Sequence, residues 1–144
     1  MSIDQEPVDS PQGWVAEHVR RYVETNGEDG YWWRGAPTLI LTTLGRRSGK
    51  ARRLALIYGE DNGRYIIVAS KGGSDTHPEW YLNLRENPDV MVQVRDDRFR
   101  AKARTATPDE HKALWPRMEE IWPDYDKYQQ KTNREIPLVI LERV

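Results

Sequence analysis

The stretch LTTLGRRSGKARRLALIYG, Leu41–Gly59, decides the fold of this chain, because two apolar, strand-like runs flank a short glycine-bounded loop. Such a pattern predicts a β-hairpin. The stretch contains no acid but five cations: Arg46, Arg47, Lys50, Arg52 and Arg53. Cations this close repel one another, whereas arginine matches phosphate and carboxylate oxygens with paired hydrogen bonds. The loop is either a solubilising turn or an anion site, and the missing counter-charge favours the anion site.

After this hairpin the chain continues with further short, strand-like runs. Turn signals follow at Glu60–Gly63 and Asp96–Asp97. The strand-like runs are Thr38–Leu44, Arg53–Tyr58, Arg64–Ser70, Asp89–Val94, Arg98–Ala106 and Pro137–Glu142. About six strands joined mostly by hairpins, without a βαβ rhythm, predict a small antiparallel barrel.

Three to four helices are predicted, one before the strands and the others among them. From Gly13 onward, apolar residues recur at helical spacing and form one stripe. The sequences THPE and TPDE, with Thr76 and Thr107 as caps, predict two further helix starts, and DYDKYQQKT predicts a short last helix. Residues 1–12 offer little to bury and are predicted to form a disordered tail, whereas 13–144 are predicted to form a single domain.

The composition excludes several functional classes. The 144 residues carry a net charge of −1 and no cysteine, which excludes a disulfide scaffold, a thiolate zinc site and a cysteine nucleophile. The three histidines are too dispersed for metal-ligand spacing, so no metal is predicted. Walker A, G-x-G-x-x-G and G-x-S-x-G motifs are all absent from the sequence. No apolar run approaches the roughly 18 residues of a transmembrane helix, so a soluble, cytoplasmic protein is expected.

Two further stretches suggest a binding site. In VASKGGSDTHPEWYLNL, Val68–Leu84, the pair Gly72–Gly73 lets backbone amides approach a ligand closely, and a helix start attracts anions. In IWPDYDKY the aromatic residues form either core or the wall of a pocket. An ordinary strand-to-helix connection with core aromatics is the alternative interpretation. Because no acid–base or metal machinery is evident, a bound cofactor is expected to supply the reactivity.

At these residues the chain resembles a known family. The segments LILTTLGRRSGKARRLAL, YIIVASKGGSDTHPEWYLNLRENPDVMVQV and WPDYDKYQQKTNREIPLVILERV are similar to the deazaflavin (F420)-dependent nitroreductases of actinobacteria. The resemblance covers about 38–144. It implies a split β-barrel of the FMN-binding type, with coenzyme F420 in place of FMN. F420 has a flat deazaflavin ring and an acidic tail of phosphate and oligoglutamate, and the basic loop would hold that tail.

The resemblance also implies which residues contact the cofactor and the acceptor. Tyr125, Ser70 and Trp122 are the predicted catalytic residues; Ser70 would hold the ring edge, and Lys71 would face an anionic group. The predicted cofactor contacts are Arg46, Arg47, Ser48, Lys50, Arg52, Arg53, Leu54, Ala55, Leu56, Ile57, Val68, Ala69, Ser70, Lys71, Trp80, Tyr81, Leu82, Asn83 and Tyr125. Relatives that activate nitroimidazoles carry tyrosines where this chain has Trp122 and Ile57, so a quinone is the favoured acceptor.

The predicted function is an F420H2-dependent oxidoreductase that passes a hydride to a quinone or a nitro compound. The alternative is an F420-binding or carrier protein without its own chemistry. A nucleic-acid-binding function is disfavoured, because the chain outside the five cations of the basic loop has a net charge of −6 and would repel a long polyanion. The sequence leaves open whether the chain forms a homodimer, and whether the first helix covers the barrel, meets a partner or contacts a membrane.

Overall fold

The computed structural model describes residues 2–9 and 13–144. Its helices are α1 (Gly13–Thr25), α2 (Glu79–Glu86), α3 (Pro108–Ile121) and α4 (Asp124–Gln130), and a 3₁₀ turn covers Lys71–Gly73. Its strands are β1 (Trp32–Trp33), β2 (Ala36–Leu44), β3 (Ala51–Asp61), β4 (Arg64–Val68), β5 (Asp89–Val94), β6 (Asp97–Thr105) and β7 (Leu138–Arg143).

Six of the strands close into an antiparallel barrel. The order is β2-β3-β4-β7-β6-β5, and pairing of β2 with β5 closes the ring, while the short β1 extends β2 outside it. The interior holds aliphatic residues from each of the six barrel strands, among them Leu39, Ile67, Val92 and Leu141. The predicted mainly-β fold with a barrel and helices is confirmed.

The barrel has an opening beside β3. Residues 51–57 of β3 pair with β2, whereas only 58–61 pair with β4, so the two strands of the β3–β4 hairpin separate away from their turn. Arg53 to Ile57 are accordingly half-buried, although they lie in the middle of the longest strand. Through this opening a ligand can reach the backbone of β3 along the edge that does not pair with β4.

Helix α3 begins where the sequence predicts. The hydroxyl of Thr107 accepts a hydrogen bond from the Glu110 amide, and the Glu110 carboxylate accepts one from the Thr107 amide, which completes a capping box. The predicted cap of α2 was wrong: α2 begins at Glu79 after Pro78, and the Thr76 hydroxyl instead contacts the Lys71 ammonium at 3.2 Å.

Helix α1 covers the barrel with its apolar stripe. Val19 and Tyr22 are fully buried against Ile40, and the Tyr22 hydroxyl donates to the Thr38 carbonyl at 2.9 Å. Trp14, at the start of the helix, stays 72% exposed. Within the described residues, no helix is long and apolar enough to cross a membrane.

Residues 2–9 pack on the barrel, whereas the sequence predicts that they belong to a disordered tail. The Val8 amide donates to the Ala51 carbonyl at 2.7 Å, beside the opening of β3. Ile3 is buried against Leu44 and Ala51. A strand edge supplies backbone partners that the sequence of the segment does not reveal. The other residues of the predicted tail, 1 and 10–12, lie outside the described residues.

Glu110 makes the stability of the fold dependent on acid pH. Hydrogen bonds from the Arg104 guanidinium lower the pKa of Glu110 from 4.5 to about 2. The native state therefore binds fewer protons than the unfolded state, so this contribution is present above pH 4.5 and is lost between pH 4.5 and about 2.

Replacing Glu110 with glutamine keeps an acceptor for the capping box but removes the charge. We expect Glu110→Gln to lower the free energy of unfolding at pH 7 by about 1–2 kcal/mol, discounted for partial exposure. We also expect stability to fall less steeply than in the wild type on acidification. Urea unfolding at several pH values measures both effects, and parallel pH profiles for the two proteins would contradict this assignment.

Candidate functional site

A cleft of about 510 Å³ lies between the basic loop, β3 and α2. The structure brings together eight of the predicted cofactor residues there: Arg46, Arg47, Ser48, Arg52, Arg53, Leu54, Trp80 and Asn83. Val8 and Asp9 of the N-terminal segment form part of its wall, together with Glu79. The cleft thus combines a cationic rim with an apolar side formed by Leu54 and Trp80.

Two of the five cations have acidic partners from distant parts of the chain. Arg46 contacts the Glu79 carboxylate at 2.7 Å and the Asn83 side-chain carbonyl at 2.9 Å, and its own side chain is only 14% exposed. The hydrogen bond from Arg46 lowers the pKa of Glu79. Arg53 holds Asp9 with two hydrogen bonds. The interpretation that these cations lack counter-charges was therefore wrong for Arg46 and Arg53.

The other three cations remain available to a ligand. Arg47, Lys50 and Arg52 are exposed, and none of them pairs with a carboxylate in the part of the chain that the structure describes. Arg47 and Arg52 line the cleft, whereas Lys50 lies outside its lining. A cluster of exposed cations suits a phosphate or carboxylate, because their side chains retain free donors.

The exposed part of β3 joins this rim to the barrel. Leu54 and Leu56 pack on the barrel core, while Ala55 packs beneath α1 on the other face. Because the Arg53 amide points to the open edge, where it meets the Val8 carbonyl at 3.4 Å, the amides of Ala55 and Ile57 point to the same edge. This stretch can therefore receive a flat ligand through backbone groups and aliphatic side chains.

The loop after β4 has an unusual backbone. Lys71, Gly72 and Gly73 have φ angles of +46°, +64° and +87°, and Ser70 before them is right-handed helical. Such an αR–αL sequence turns successive amides toward one point and forms an anion-binding concavity. The amides of Ser70, Lys71 and Gly72 have no hydrogen-bond partner among residues 2–9 and 13–144.

Helix α2 supplies buried anchors beside this loop. Trp80, Tyr81 and Asn83 are buried, and Leu82 is half-buried. The hydroxyls of Tyr81 and Thr105 lie 2.8 Å apart, which ties the helix to β6. Asn83 also accepts a hydrogen bond from the Arg46 amide at 3.1 Å, so α2 positions the basic loop through both the backbone and the side chain of Arg46.

Tyr125 and Trp122 lie apart from the basic cleft. The Tyr125 side chain is 5% exposed and packs with Leu114 and Met118. The Tyr125 hydroxyl has no hydrogen-bond partner among the described residues. Every fully buried side-chain polar atom among these residues does have a partner, so the Tyr125 hydroxyl must be in contact with solvent. Trp122 is half-buried, with its ring 5.2 Å from that of Trp33.

The loop after β4 connects the two regions. Helix α4, which carries Tyr125, packs on this loop, and the Tyr128 backbone lies against Gly73. Val68 and Ala69 are buried, whereas Ser70 is half-exposed and Lys71 is exposed. The predicted catalytic residues Ser70 and Tyr125 are thus on neighbouring elements.

Several residues of the site carry no signal in the sequence. Asp9 and Glu79 are single acids among many, and their partners lie 44 and 33 residues away along the chain. Trp33 is close to Trp122 only through the fold. Arg134, which contacts the loop after β4, lies 57 to 65 residues from its partners.

The fold and the site together define a split-barrel, cofactor-binding protein. The family model described as F420H(2)-dependent quinone reductase matches residues 14–143. An F420H(2)-dependent quinone reductase of Mycobacterium tuberculosis is 40% identical over 130 residues, which cover 88% of this chain and 87% of that protein. The chain belongs to the F420H(2)-dependent quinone reductase family.

Solved structures agree with this assignment. An F420-H2 dependent reductase is 43% identical, with a TM-score of 0.69, over 74% of this chain and 94% of that chain. A structure described as a domain-swapped dimer is 41% identical, with a TM-score of 0.71, over 92% of this chain and 100% of that chain. The predicted family, the oxidoreductase class and reduced F420 as hydride donor are confirmed.

Proposed function

We propose that this chain passes a hydride from F420H2 to a quinone, with the tail of the cofactor on the basic rim and its ring along the opening of β3. The observation that carries the proposal is the set of three exposed cations, Arg47, Lys50 and Arg52, at one end of a half-buried strand; none of the three has a carboxylate partner within residues 2–9 and 13–144. The acidic tail of F420 would lie on these cations, and its flat ring would lie on the apolar surface of the strand.

The residues around the opening fit such a group. F420 supplies a two-electron hydride donor when bound. Leu54, Leu56 and Trp80 provide apolar contacts, and the free amides of Ser70, Lys71 and Gly72 can donate to oxygens at the ring edge. The protein then contributes position, because it holds the cofactor and an acceptor in contact and excludes water from between them.

Turnover tests this proposal directly. The protein is mixed with F420H2 and menadione, and the return of oxidised F420 absorbance is followed. We expect multiple turnovers per protein molecule. The alternative, a binding or carrier protein, predicts F420 binding without turnover on quinones, nitroaromatics or enones, and that outcome would reject catalysis. Nitro compounds in the same assay show whether they too are acceptors.

Tyr125 is our proposed hydrogen-bond donor to the acceptor oxygen. Burial raises the pKa of Tyr125, so the hydroxyl stays protonated at neutral pH and can donate to an oxygen that gains negative charge. Tyr125→Phe keeps the packed ring and removes only this donor. We expect kcat to fall about tenfold, roughly 1.4 kcal/mol, with F420 affinity unchanged. An unchanged kcat would leave Tyr125 as a packing residue.

Two further proposals concern where and how the enzyme works. We propose peripheral membrane contact through the N-terminal helix α1, because quinones dissolve in bilayers and the exposed Trp14 on this helix, like the exposed Trp32, suits the polar boundary of a bilayer. Flotation with liposomes tests this contact, with the variants Trp14→Ser and Trp32→Ser for comparison.

Because a solved relative is a domain-swapped dimer, we also propose that this chain forms a homodimer. Light scattering after size-exclusion chromatography tests this proposal.

A further inference from the structure

Arg134 lies between α4 and β7 and forms hydrogen bonds with one distant loop. Its Nε donates to the Ser74 carbonyl at 2.7 Å, and its Nη2 donates to the Ser70 carbonyl at 2.8 Å. Its Nη1 lies 3.3 Å from the Ala69 carbonyl and 3.2 Å from His77 Nδ1. A single guanidinium thus gathers four acceptors from residues 69–77.

The backbone of Arg134 is itself held in place. The Gln129 side chain donates to the Arg134 carbonyl at 2.8 Å and accepts from the Ile136 amide at 2.9 Å. Gln129 belongs to α4, the helix that packs on the same loop. Arg134 therefore links α4 and the loop after β4 through hydrogen bonds at both of its ends.

Arg134 contacts backbone carbonyls of the loop and none of its amides. Its side chain takes the carbonyls of Ala69, Ser70 and Ser74, whereas the amides of Ser70, Lys71 and Gly72 keep no partner in the described chain. Of the three successive left-handed residues only Lys71 is not a glycine, so only Lys71 is strained, by about 1–2 kcal/mol, and the fixed donors of the Arg134 guanidinium can offset that cost.

The charge of Arg134 has no direct counter-ion. The described residues place no carboxylate within ion-pair distance of its guanidinium, although the side chain is partly buried. Burial, moreover, lowers the pKa of Arg134, as expected for a cation with incomplete compensation. A partly buried, unpaired arginine is unusual, because arginine in such surroundings is normally paired. The loop carbonyls contact the charge directly, and the more distant Asp75 carboxylate also favours the charged form.

We propose that Arg134 is a positioning residue for the cofactor: it fixes the loop after β4 so that the amides of Ser70, Lys71 and Gly72 face the bound group. This inference rests on the proposed function, in which the same loop contacts F420. Lysine cannot replace arginine here, because its single ammonium lacks the planar fork that reaches Ser70, Ser74 and Ala69 together.

Binding measurements on Arg134→Ala and Arg134→Lys test the proposal. F420 affinity is measured by ultrafiltration, apo-protein stability by thermal unfolding, and kinetics by varying F420H2 with menadione in excess. We expect both variants to bind F420 about tenfold more weakly, with the loss in KM for F420H2 and little change in kcat. Guanidinium ion should restore part of the affinity of Arg134→Ala, whereas potassium at equal ionic strength should not.

Arg104→Ala is the matched control. All three guanidinium nitrogens of Arg104 also donate hydrogen bonds, but their acceptors are the carboxylates of Glu110 and Glu142, which lie away from the cleft. We expect this variant to be less stable and to bind F420 as the wild type does. Wild-type affinity in both Arg134 variants would overturn the proposal. Affinity that falls only in step with stability, without guanidinium rescue, would overturn it too. Failure of the wild type itself to bind F420 would reject the proposed function and this inference with it.

Discussion

Replacing Gly73 with alanine is expected to lower the free energy of unfolding by about 3 kcal/mol, through backbone strain and overpacking together. Gly73 has a φ angle of +87°, which L residues rarely adopt. A methyl group at this position would lie 2.6 Å from the Tyr128 carbonyl oxygen and 2.9 Å from its Cα. Both are backbone atoms of α4, so neither can rotate away. The loop after β4 would have to shift, and we expect F420 binding to weaken as well.

Gly72 offers the matched control for this change. It is also left-handed, with a φ angle of +64°, but a methyl group there would meet nothing within 4 Å. Gly72→Ala should therefore cost only the conformational strain, about 1 kcal/mol. Urea unfolding of the three proteins measures the difference. Equal losses for the two variants would mean that α4 and the loop do not pack as described.

Replacing both Arg47 and Arg52 with alanine is expected to weaken F420 binding by about 1–3 kcal/mol, the range of charge-assisted hydrogen bonds. Both side chains are exposed, line the cleft and have no carboxylate partner among the described residues. Because water and salt screen exposed charges, the loss should shrink as the salt concentration rises. Titrations with F420 at low and high salt measure both the loss and its salt dependence.

The double variant Arg20→Ala and Arg21→Ala makes the same change in net charge elsewhere. These two arginines lie on α1 and contact Glu17. If F420 responds to the local rim, the α1 variant should bind as the wild type does. Equal weakening in both double variants would point to the overall charge of the protein, and unchanged binding in both would make the basic loop a solubilising turn.

The sequence predicts the barrel well because its signals are local. Alternating apolar residues, the turn at Glu60–Gly63 and the capping box at Thr107 each depend on residues a few positions apart, and all of them occur in the structure. The basic loop is equally local, and four of its five cations do line one cleft. Patterns of this kind can be read from the sequence because they depend on the spacing of residues close together in the chain.

The contacts that refine the site are not local, and the sequence does not reveal them. Asp9 and Glu79 neutralise two cations only because the fold brings distant segments to β3 and the basic loop. The sequence leaves open whether the aromatic residues of IWPDYDKY form core or a pocket wall, whereas in the structure α4 packs the Tyr125 ring against Leu114 and Met118 and only its hydroxyl reaches solvent. The four acceptors of Arg134 likewise come from another part of the chain.

A titration of the wild-type protein with F420, run beside FMN and followed by difference spectra, tests the central claim most directly. The unpaired cations of the rim suit a cofactor whose tail carries several negative charges, more than the single phosphate of FMN provides. We predict a saturable spectral change with F420 at micromolar concentrations or below, and weaker binding of FMN. No spectral change with F420, or tighter binding of FMN, would contradict the account.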